Sequence, residues 1–212
     1  MNRLSISKDK SGIMGLDFAD AVAHGTIVSE LAVLVARRLG MDLDFCNDIA
    51  VAAMLHDIGK LRLSEHLHKE RSEAMVVEKM KYVRMHAAFS RDIMQEQGYK
   101  DNLLDMVYHH HENYDGSGYP ANISGEDIPP GARIIRVCDV FAALVSDRSY
   151  RKAFAEDVAI ELMIEEERHF DMKVFLAFLE VIHSDDYIRV KRLMHGDIAA
   201  CAVSYYKDNI DM

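Results

Sequence analysis

The segment from His109 to Pro120, HHHENYDGSGYP, holds the residues of this chain that are best suited to metal chemistry. Three consecutive histidines are followed by Glu112 and Asp115 and then by a turn with two glycines. Neutral histidine is a common metal ligand because one ring nitrogen carries a lone pair near physiological pH. The glycines permit positive φ and close backbone approach, although an ordinary surface turn would use them in the same way.

Two carboxylates elsewhere lie in apolar surroundings. The doublet His56-Asp57 ends the apolar stretch FCNDIAVAAMLHDIGK, and Asp139 lies within IIRVCDVFAAL. An Asp is rarely buried unless it is paired or bound to a metal, so we favour metal binding over a buried salt bridge for Asp139. Adjacent helical residues point about 100° apart. His56 and Asp57 could therefore share one ion only near a helix end, or each could serve a different ion.

Two isolated histidines are weaker candidates. Taken alone, His24 and His86 would each be a hydrogen-bonded core histidine. Asp20 lies one helical turn before His24, however, and shares its helix face, so a ligand pair is a fair alternative there.

Helical register separates the three consecutive histidines. His110 and His111 follow apolar residues at helical spacing, whereas His109 follows the polar row of Asn102 and Asp105. If the helix continues through His111, His110 and His111 face inward and His109 faces solvent.

Three cationic residues could bind phosphate near these ligands. Lys60 lies four residues after His56, on the same side of the helix, and could act as a point charge. Arg148 and Arg151 follow Asp139 by nine and twelve residues, and helical spacing would aim both at the same pocket as phosphate clamps. The alternative for the two arginines is a solvated helix end.

The composition predicts an all-α fold. Half of the 212 residues are hydrophobic and only three are proline, and helix-forming residue types predominate. Residues 61–75 are charged and irregular, which favours a solvated connection over a flexible lid. The predicted helices cover residues 17–39, 44–60, 76–97 and 103–111, with others beginning after Pro129-Pro130, between 157 and 183, and in the amphipathic stretch 185–212.

Charge and targeting signals narrow the functional classes. The net charge of −10 argues against non-specific nucleic-acid binding, and an anionic substrate would require positive charge from local groups or bound metal ions. The N-terminus lacks a signal-peptide apolar region, and no apolar run approaches the ~20 residues of a membrane span. We therefore predict a cytoplasmic protein whose three cysteines, Cys46, Cys138 and Cys201, are core thiols.

Three motifs together resemble one family. HDIGK at 56–60, HHENYDGSGYP at 110–120 and ARIIRVCDVFAALVSDRSYRKA at 132–153 are similar to the HD-GYP domains, the cyclic di-GMP phosphodiesterases of the HD superfamily of metal-dependent phosphohydrolases. The resemblance implies a bundle of about seven helices over residues 17–183. A lead-in of residues 1–16 would precede it, and a C-terminal helical extension of residues 184–212 would follow it.

The resemblance also implies roles for individual residues. Asp57 would bridge two metal ions, and Asp20 matches a position that some members use for a third. Lys60 and Asp57 would be catalytic, and Lys60 would contact phosphate together with Arg148 and Arg151, while Tyr119 would lie beside the substrate. The implied metal ligands are His24, His56, Asp57, His86, His110, His111 and Asp139.

The ligand set and the family chemistry predict the reaction. Histidine and carboxylate ligands suit iron or manganese, and also zinc, better than magnesium. Two such ions would promote attack of water on the phosphodiester, giving pGpG and then GMP. No cysteine has neighbours suited to nucleophilic catalysis. The alternatives are a non-catalytic module that binds a cyclic dinucleotide, a phosphohydrolase acting on a mononucleotide, or a phosphodiesterase for another cyclic dinucleotide.

Two departures from the family pattern concern substrate access to the site and regulation of the domain. The stretch LRLSEHLHKERSEAMV lacks the Pro-Gly that usually follows the HDxGK helix, which affects the expected lid over the site. The 16 residues before the domain cannot hold a sensory domain, so we expect regulation by a partner. A diguanylate cyclase bound at the GYP loop and a homodimer are the partner hypotheses.

Overall fold

The computed structural model describes residues 18–62, 83–147 and 151–194, with side chains from residue 21 onward. These ranges contain eight α-helices and no β-strand, so the predicted all-α class is confirmed. Seven of the helices lie within the predicted domain. The helices are α1 (Phe18–Arg38), α2 (Leu43–Leu55), α3 (His86–Glu96), α4 (Asp101–Tyr108), α5 (Pro130–Leu144), α6 (Glu156–Glu165), α7 (Met172–Ile182) and α8 (Tyr187–Met194).

Helix α1 is the central element of the core. Its residues Val28, Leu31, Ala32 and Val35 are fully buried and recur at the three- and four-residue spacing of one helix face. The helix packs against α2, α5, α7 and α8. Neighbouring helices are therefore held side by side, and their ends can meet around one point. None of the described helices is long and apolar enough to cross a membrane.

Two helices end earlier than predicted. Helix α2 ends at Leu55 rather than at residue 60, and tight turns follow in which Ile58 N–H donates to Leu55 O and Lys60 N–H to Asp57 O. Helix α4 ends at Tyr108 rather than at His111. Three-residue hydrogen bonds of this kind commonly close a last helical turn. Both helix ends carry histidines, so the early terminations change where these side chains point.

The predicted helix over residues 76–97 is described only in part. Helix α3 begins at His86, and residues 76–82 lie outside the described residues. At the start of this helix, Met85 is 40% exposed. Met85 precedes α3 at its N-terminal cap, where the periodicity of the helix does not yet apply.

The C-terminal stretch contributes to the core as far as it is described. Tyr187 and Val190 of α8 are buried, and the Tyr187 hydroxyl donates to Glu156 of α6. Cys46 and Cys138 are buried free thiols, as predicted. The lead-in, most of the 61–75 connection, Cys201 and residues 195–212 lie outside the described residues. The proposed domain boundaries stay predictions.

Candidate metal centre

Seven histidine and aspartate side chains gather in two adjacent groups. Within each group the potential ligand atoms all lie within 4.8 Å of one another. Together they contain every residue that was matched to a family metal ligand, except Asp20 at the position for a third ion. The first group is Asp57, His86, His110 and His111, and the second group is His24, His56 and Asp139.

Three of the histidines are oriented by bonds to the backbone. In each, Nδ1 lies 2.5–2.6 Å from the carbonyl oxygen three residues earlier in the chain. A carbonyl only accepts, so Nδ1 carries a hydrogen and Nε2 is the nitrogen that faces the centre. The pairs are His56 with Ala53, His86 with Val83 and His110 with Val107.

Asp57 lies between the two groups. Its Oδ2 is 3.4 Å from His56 Nε2 of the second group, and its Oδ1 is 3.2 Å from His86 Nε2 of the first group. Because α2 ends at Leu55, His56 and Asp57 leave the helix side by side and fall into different groups. The sequence left open whether the two residues share one ion or serve different ions, and the structure places them in different groups.

Two buried polar atoms, one each of Asp57 and His56, lack a hydrogen-bond partner in the described part of the chain. His56 Nε2 and Asp57 Oδ1 are buried and have no hydrogen-bond partner among the described residues. An unsatisfied buried polar atom costs about 1–3 kcal/mol, and several facing each other would be unfavourable together. A cation between them would satisfy these atoms, so the residues fit a divalent metal site.

The two carboxylates of the centre are ionised. Burial alone would raise the pKa of Asp57, but His56 and Lys60 hold it well below its usual range. Burial would likewise raise the pKa of Asp139, yet its hydrogen bond with His24 and the nearby charge of His56 keep that pKa well below its usual range. The distance from Asp139 Oδ1 to His24 Nε2 is 2.9 Å. Each group therefore contains a negatively charged oxygen ligand.

The histidines of the two groups differ in their affinity for protons. Burial lowers the pKa of His110 well below its usual value and that of His111 to about 3, and the positive charge of neighbouring histidines lowers both further. These two rings are neutral at pH 7. Burial also opposes the charged form of His56, but Asp57 and Asp139 outweigh it and raise the pKa of His56 to about 10. In the second group a proton therefore competes with a metal ion.

The loop after α4 covers the first group. The Tyr119 ring stacks on His111 with centroids 4.7 Å apart, and the Arg84 guanidinium lies 5.2 Å from the Tyr119 centroid. A Cβ on Gly118 would lie 2.2 Å from Asn113 N, so only glycine permits this backbone approach. Tyr119 is therefore next to the centre, where the family resemblance placed it.

Glu112 holds this loop and was assigned no role from the sequence. Its side chain is buried, and Oε1 accepts hydrogen bonds from Ala121 N–H at 2.6 Å and Asn122 N–H at 3.1 Å. Asp115 likewise accepts from Ser117 within the loop. The two acidic residues of the motif thus shape the loop, and neither belongs to a ligand group.

Replacing Glu112 should destabilise the loop. In Glu112→Ala, the N–H groups of Ala121 and Asn122 lose their acceptor, at a cost of about 1–3 kcal/mol. For a domain of this size each 1 kcal/mol corresponds to roughly 2–4 °C in the thermal midpoint, which calorimetry would measure. Glu126→Ala, at an exposed position in the same loop, should leave the midpoint within about 1 °C. Equal midpoints for both variants would contradict this role.

His109 does not face solvent as predicted. Its side chain is only 16% exposed, and its Nδ1 lies 3.7 Å from Glu112 Oε1. The prediction assumed a helix through His111, whereas the chain turns after Tyr108. His110 does point inward, and His111 reaches the first group, but both do so from a turn.

The predicted phosphate contacts have different outcomes. Lys60 Nζ forms an ion pair with Asp57 Oδ2 and so lies at the centre. Arg151 does not follow from helical spacing, because α5 ends at Leu144, and its guanidinium donates to the carbonyls of Ala143 and Leu144. Arg148 and the side chain of Asp20 lie outside the described residues.

Arg136 is a cation at the centre that the sequence reading missed. It precedes Asp139 by three residues on α5, and its Nε donates to Asn113 Oδ1 at 3.1 Å. One NH group lies 3.5 Å from His111 Nδ1. Arg136 and Asp139 are three residues apart and therefore share one helix face. This spacing could have indicated from the sequence that Arg136 lies near the centre.

Comparison with known proteins identifies the family. A family model for the HD domain matches residues 11–174. This chain belongs to the HD domain family. The fold also resembles the structure of Bd1817, an HDG"Y"P protein from Bdellovibrio bacteriovorus. That alignment has a TM-score of 0.61 and 19% identity, and it covers 77% of this chain and 53% of that one.

Curated relatives of this chain have phosphodiesterase names. The chain is 33% identical over 160 residues to the cyclic di-GMP phosphodiesterase PA4108 of Pseudomonas aeruginosa, covering 75% of this chain and 38% of the relative. It is 31% identical over 175 residues to the 3'3'-cGAMP-specific phosphodiesterase 2 of Vibrio cholerae, covering 80% and 32%. The chain therefore spans less than half the length of these relatives.

Proposed function

We propose that this HD-GYP chain hydrolyses a phosphodiester bond of a cyclic dinucleotide, cyclic di-GMP, with the help of two divalent metal ions. The observation that carries the proposal is the pair of ligand groups with Asp57 between them. The names of the relatives support the substrate class. Two neighbouring ion sites joined by one carboxylate are a common arrangement in enzymes that displace an oxygen from phosphorus.

The proposed ligands divide between the ions as the two groups do. The first group would hold one ion through three imidazoles and Asp57, and the second group would hold the other through His24, His56 and Asp139, with Asp57 shared. This nitrogen-rich set suits iron or manganese better than magnesium. When bound, the two ions would supply Lewis acidity that polarises a phosphate oxygen and lowers the pKa of water. A third ion at Asp20 stays a prediction.

The chain itself would orient the substrate and balance its charge. Lys60, held at Asp57, would stabilise negative charge on the non-bridging phosphate oxygens. Tyr119 offers an aromatic surface beside His111. Addition of water to phosphorus would break the bond to the 3′ oxygen, giving linear pGpG, and a second round would give GMP. Contacts of Arg148 and Arg151 with phosphate stay predictions, although the bonds of Arg151 favour support of the α5 terminus.

One assay tests the proposal and its alternatives. The protein would be purified anaerobically, its bound metal measured, and cyclic di-GMP and 3′3′-cGAMP followed by chromatography with added Fe(II) or Mn(II). The linear dinucleotide is the expected product. Faster turnover of 3′3′-cGAMP would assign the other substrate, in line with the name of the Vibrio relative. Tight binding without a linear product under either metal would overturn the proposal in favour of a non-catalytic module.

Metal binding at the second group should depend on pH. The pKa of His56 is raised to about 10, so at pH 7 an ion must displace its proton, whereas His110 and His111 are already neutral. The affinity of the second group should therefore rise by roughly tenfold per pH unit between pH 6.5 and 8.5, with release of about one proton. Calorimetric titration with Mn(II) in two buffers of different ionisation enthalpy measures that proton.

A matched histidine provides the control for this titration. His183 is exposed, and its Nδ1 lies 2.6 Å from Leu179 O, so His183→Gln should leave proton release unchanged. Metal binding that is equally tight at pH 6.5 and 8.5, without proton release, would contradict the assignment of His56 as a ligand.

A further inference from the structure

Arg136 has a positive charge that no carboxylate in the described part of the chain balances by an ion pair. It is half-buried, and no carboxylate oxygen of the described residues lies within 4 Å of its guanidinium. Arg133, one turn earlier on α5, shows the usual solution, since its guanidinium lies 2.5 Å from Asp171 Oδ2. Asp139 acts on Arg136 only at longer range, and a charge withdrawn from water without a counterion in contact is costly. The position of Arg136 therefore favours an anion from outside the chain.

The contacts of Arg136 fix its orientation. Its Nε donates to Oδ1 of the buried Asn113 at 3.1 Å, which holds the plane of the guanidinium. One NH group then lies 3.5 Å from His111 Nδ1. Arginine has only donors, so whatever binds this edge must accept hydrogen bonds.

His111 differs from His56, His86 and His110 in the partner of its Nδ1. His56, His86 and His110 each direct Nδ1 to a carbonyl, whereas His111 directs Nδ1 to Arg136. The opposite nitrogen, His111 Nε2, faces the first group, 3.0 Å from His86 Nε2. When Nε2 serves as a ligand, Nδ1 carries the hydrogen, and two N–H donors then face each other.

Two donors 3.5 Å apart suit a single acceptor. One oxygen can lie at about 2.8–2.9 Å from both nitrogens, which is normal hydrogen-bonding distance. An anionic oxygen is favoured because charge-assisted bonds to guanidinium are stronger than neutral ones. Arg136 and Asp139 share one face of α5, so this oxygen would lie beside both ligand groups.

We propose that Arg136 and His111 Nδ1 form a binding position for one oxygen of a phosphoryl group, separate from the contact made by Lys60. This inference rests on the proposed function, since the phosphoryl group would be that of the cyclic dinucleotide. The loop and α5 would then both take part in binding the substrate, because Asn113 of the loop holds the arginine.

Inorganic phosphate is the probe that tests the position without turnover. Its affinity for the Mn(II)-loaded protein would be measured by calorimetry for the parent chain and for Arg136→Met, which keeps most of the apolar stem. Phosphate should bind about tenfold more weakly to the variant, while metal content and thermal midpoint stay close to those of the parent. Arg136→Lys should lose about threefold, because a point charge replaces the planar donor pair.

A charge-matched control separates a local effect from net charge. Arg38→Met removes an exposed cation in the last turn of α1, about 20 Å along the helix from His24, and should leave phosphate affinity unchanged. The KM for cyclic di-GMP should rise in Arg136→Met and stay constant in Arg38→Met.

Several outcomes would overturn the inference. They are unchanged phosphate affinity in Arg136→Met, no phosphate binding by the loaded parent, loss of metal from the variant, and failure of both Arg136 variants to fold. The last two would assign Arg136 to support of His111 or the loop. Phosphate binding through Arg136 without turnover of a cyclic dinucleotide would instead refute the proposed function and leave the anion position intact.

Discussion

Asp57→Asn should lower the rate of cyclic di-GMP hydrolysis by at least about 10²–10³-fold and should lower the metal content of the purified protein. The magnitude corresponds to loss of one group that stabilises the transition state. Asp57 directs one oxygen toward His56 and the other toward His86. An amide of the same shape keeps one neutral oxygen and replaces the other by a donor, so it cannot serve both groups.

The expected pattern is specific to a shared ligand. Asp57→Asn should reduce occupancy of both ions, whereas His24→Gln should affect the second group alone, because His24 contacts Asp139 and lies in that group. Metal analysis by mass spectrometry and steady-state kinetics measure the two effects. Asp44→Asn, an exposed aspartate in the first turn of α2, is the matched control and should keep full activity and metal. Full metal content with wild-type turnover in Asp57→Asn would rule out a bridging role.

Removal of the metal ions with a chelator should lower the thermal midpoint by roughly 8–16 °C. A ligand present at a thousand times its dissociation constant stabilises the native state by about 4.1 kcal/mol. For 150–250 residues each 1 kcal/mol corresponds to roughly 2–4 °C. The physical reason is that the centre joins five helices. His24 and Asp139 lie within α1 and α5, and His86 begins α3. The other candidate ligands follow a helix end: His56 and Asp57 follow α2, and His110 and His111 follow α4.

Scanning calorimetry with and without chelator measures the shift, and restoring Mn(II) should reverse it. Asp57→Asn provides the comparison, since a protein that holds less metal should show a smaller shift on chelation. Identical midpoints for the metal-loaded and chelated parent would contradict a centre that stabilises the helix bundle.

The chemistry of the centre could be predicted from the sequence to a large extent. The all-α class followed from composition, and Asp139 stood out as a carboxylate among apolar helix residues. Motif order and family resemblance supplied the remaining ligand candidates, including His24 and His86, which spacing alone left as core histidines. The structure brings these candidates together, and the identity of each side chain determines what it could ligate, wherever the fold places it.

Helical spacing misplaced His109 and did not apply to Arg151, because in both cases the helix had already ended. Arg151 was extrapolated from Asp139 along α5, but α5 stops at Leu144 and the arginine turns back to its carbonyls. His109 was assigned to solvent on a register that ends at Tyr108. A periodicity describes only residues inside the helix, and helix ends depend on local hydrogen bonds that a pattern of apolar residues does not reveal.

The sequence by itself thus determined the helical class, the family and the side chains available for metal chemistry. Only the tertiary structure divided the seven candidate ligands into two groups, placed Asp57 between them and brought Arg136 against His111. These relations join residues far apart in the chain, such as His24 and Asp139, whose distance depends on how α1 packs against α5. That packing is a property of the whole core, so motif spacing could not specify it.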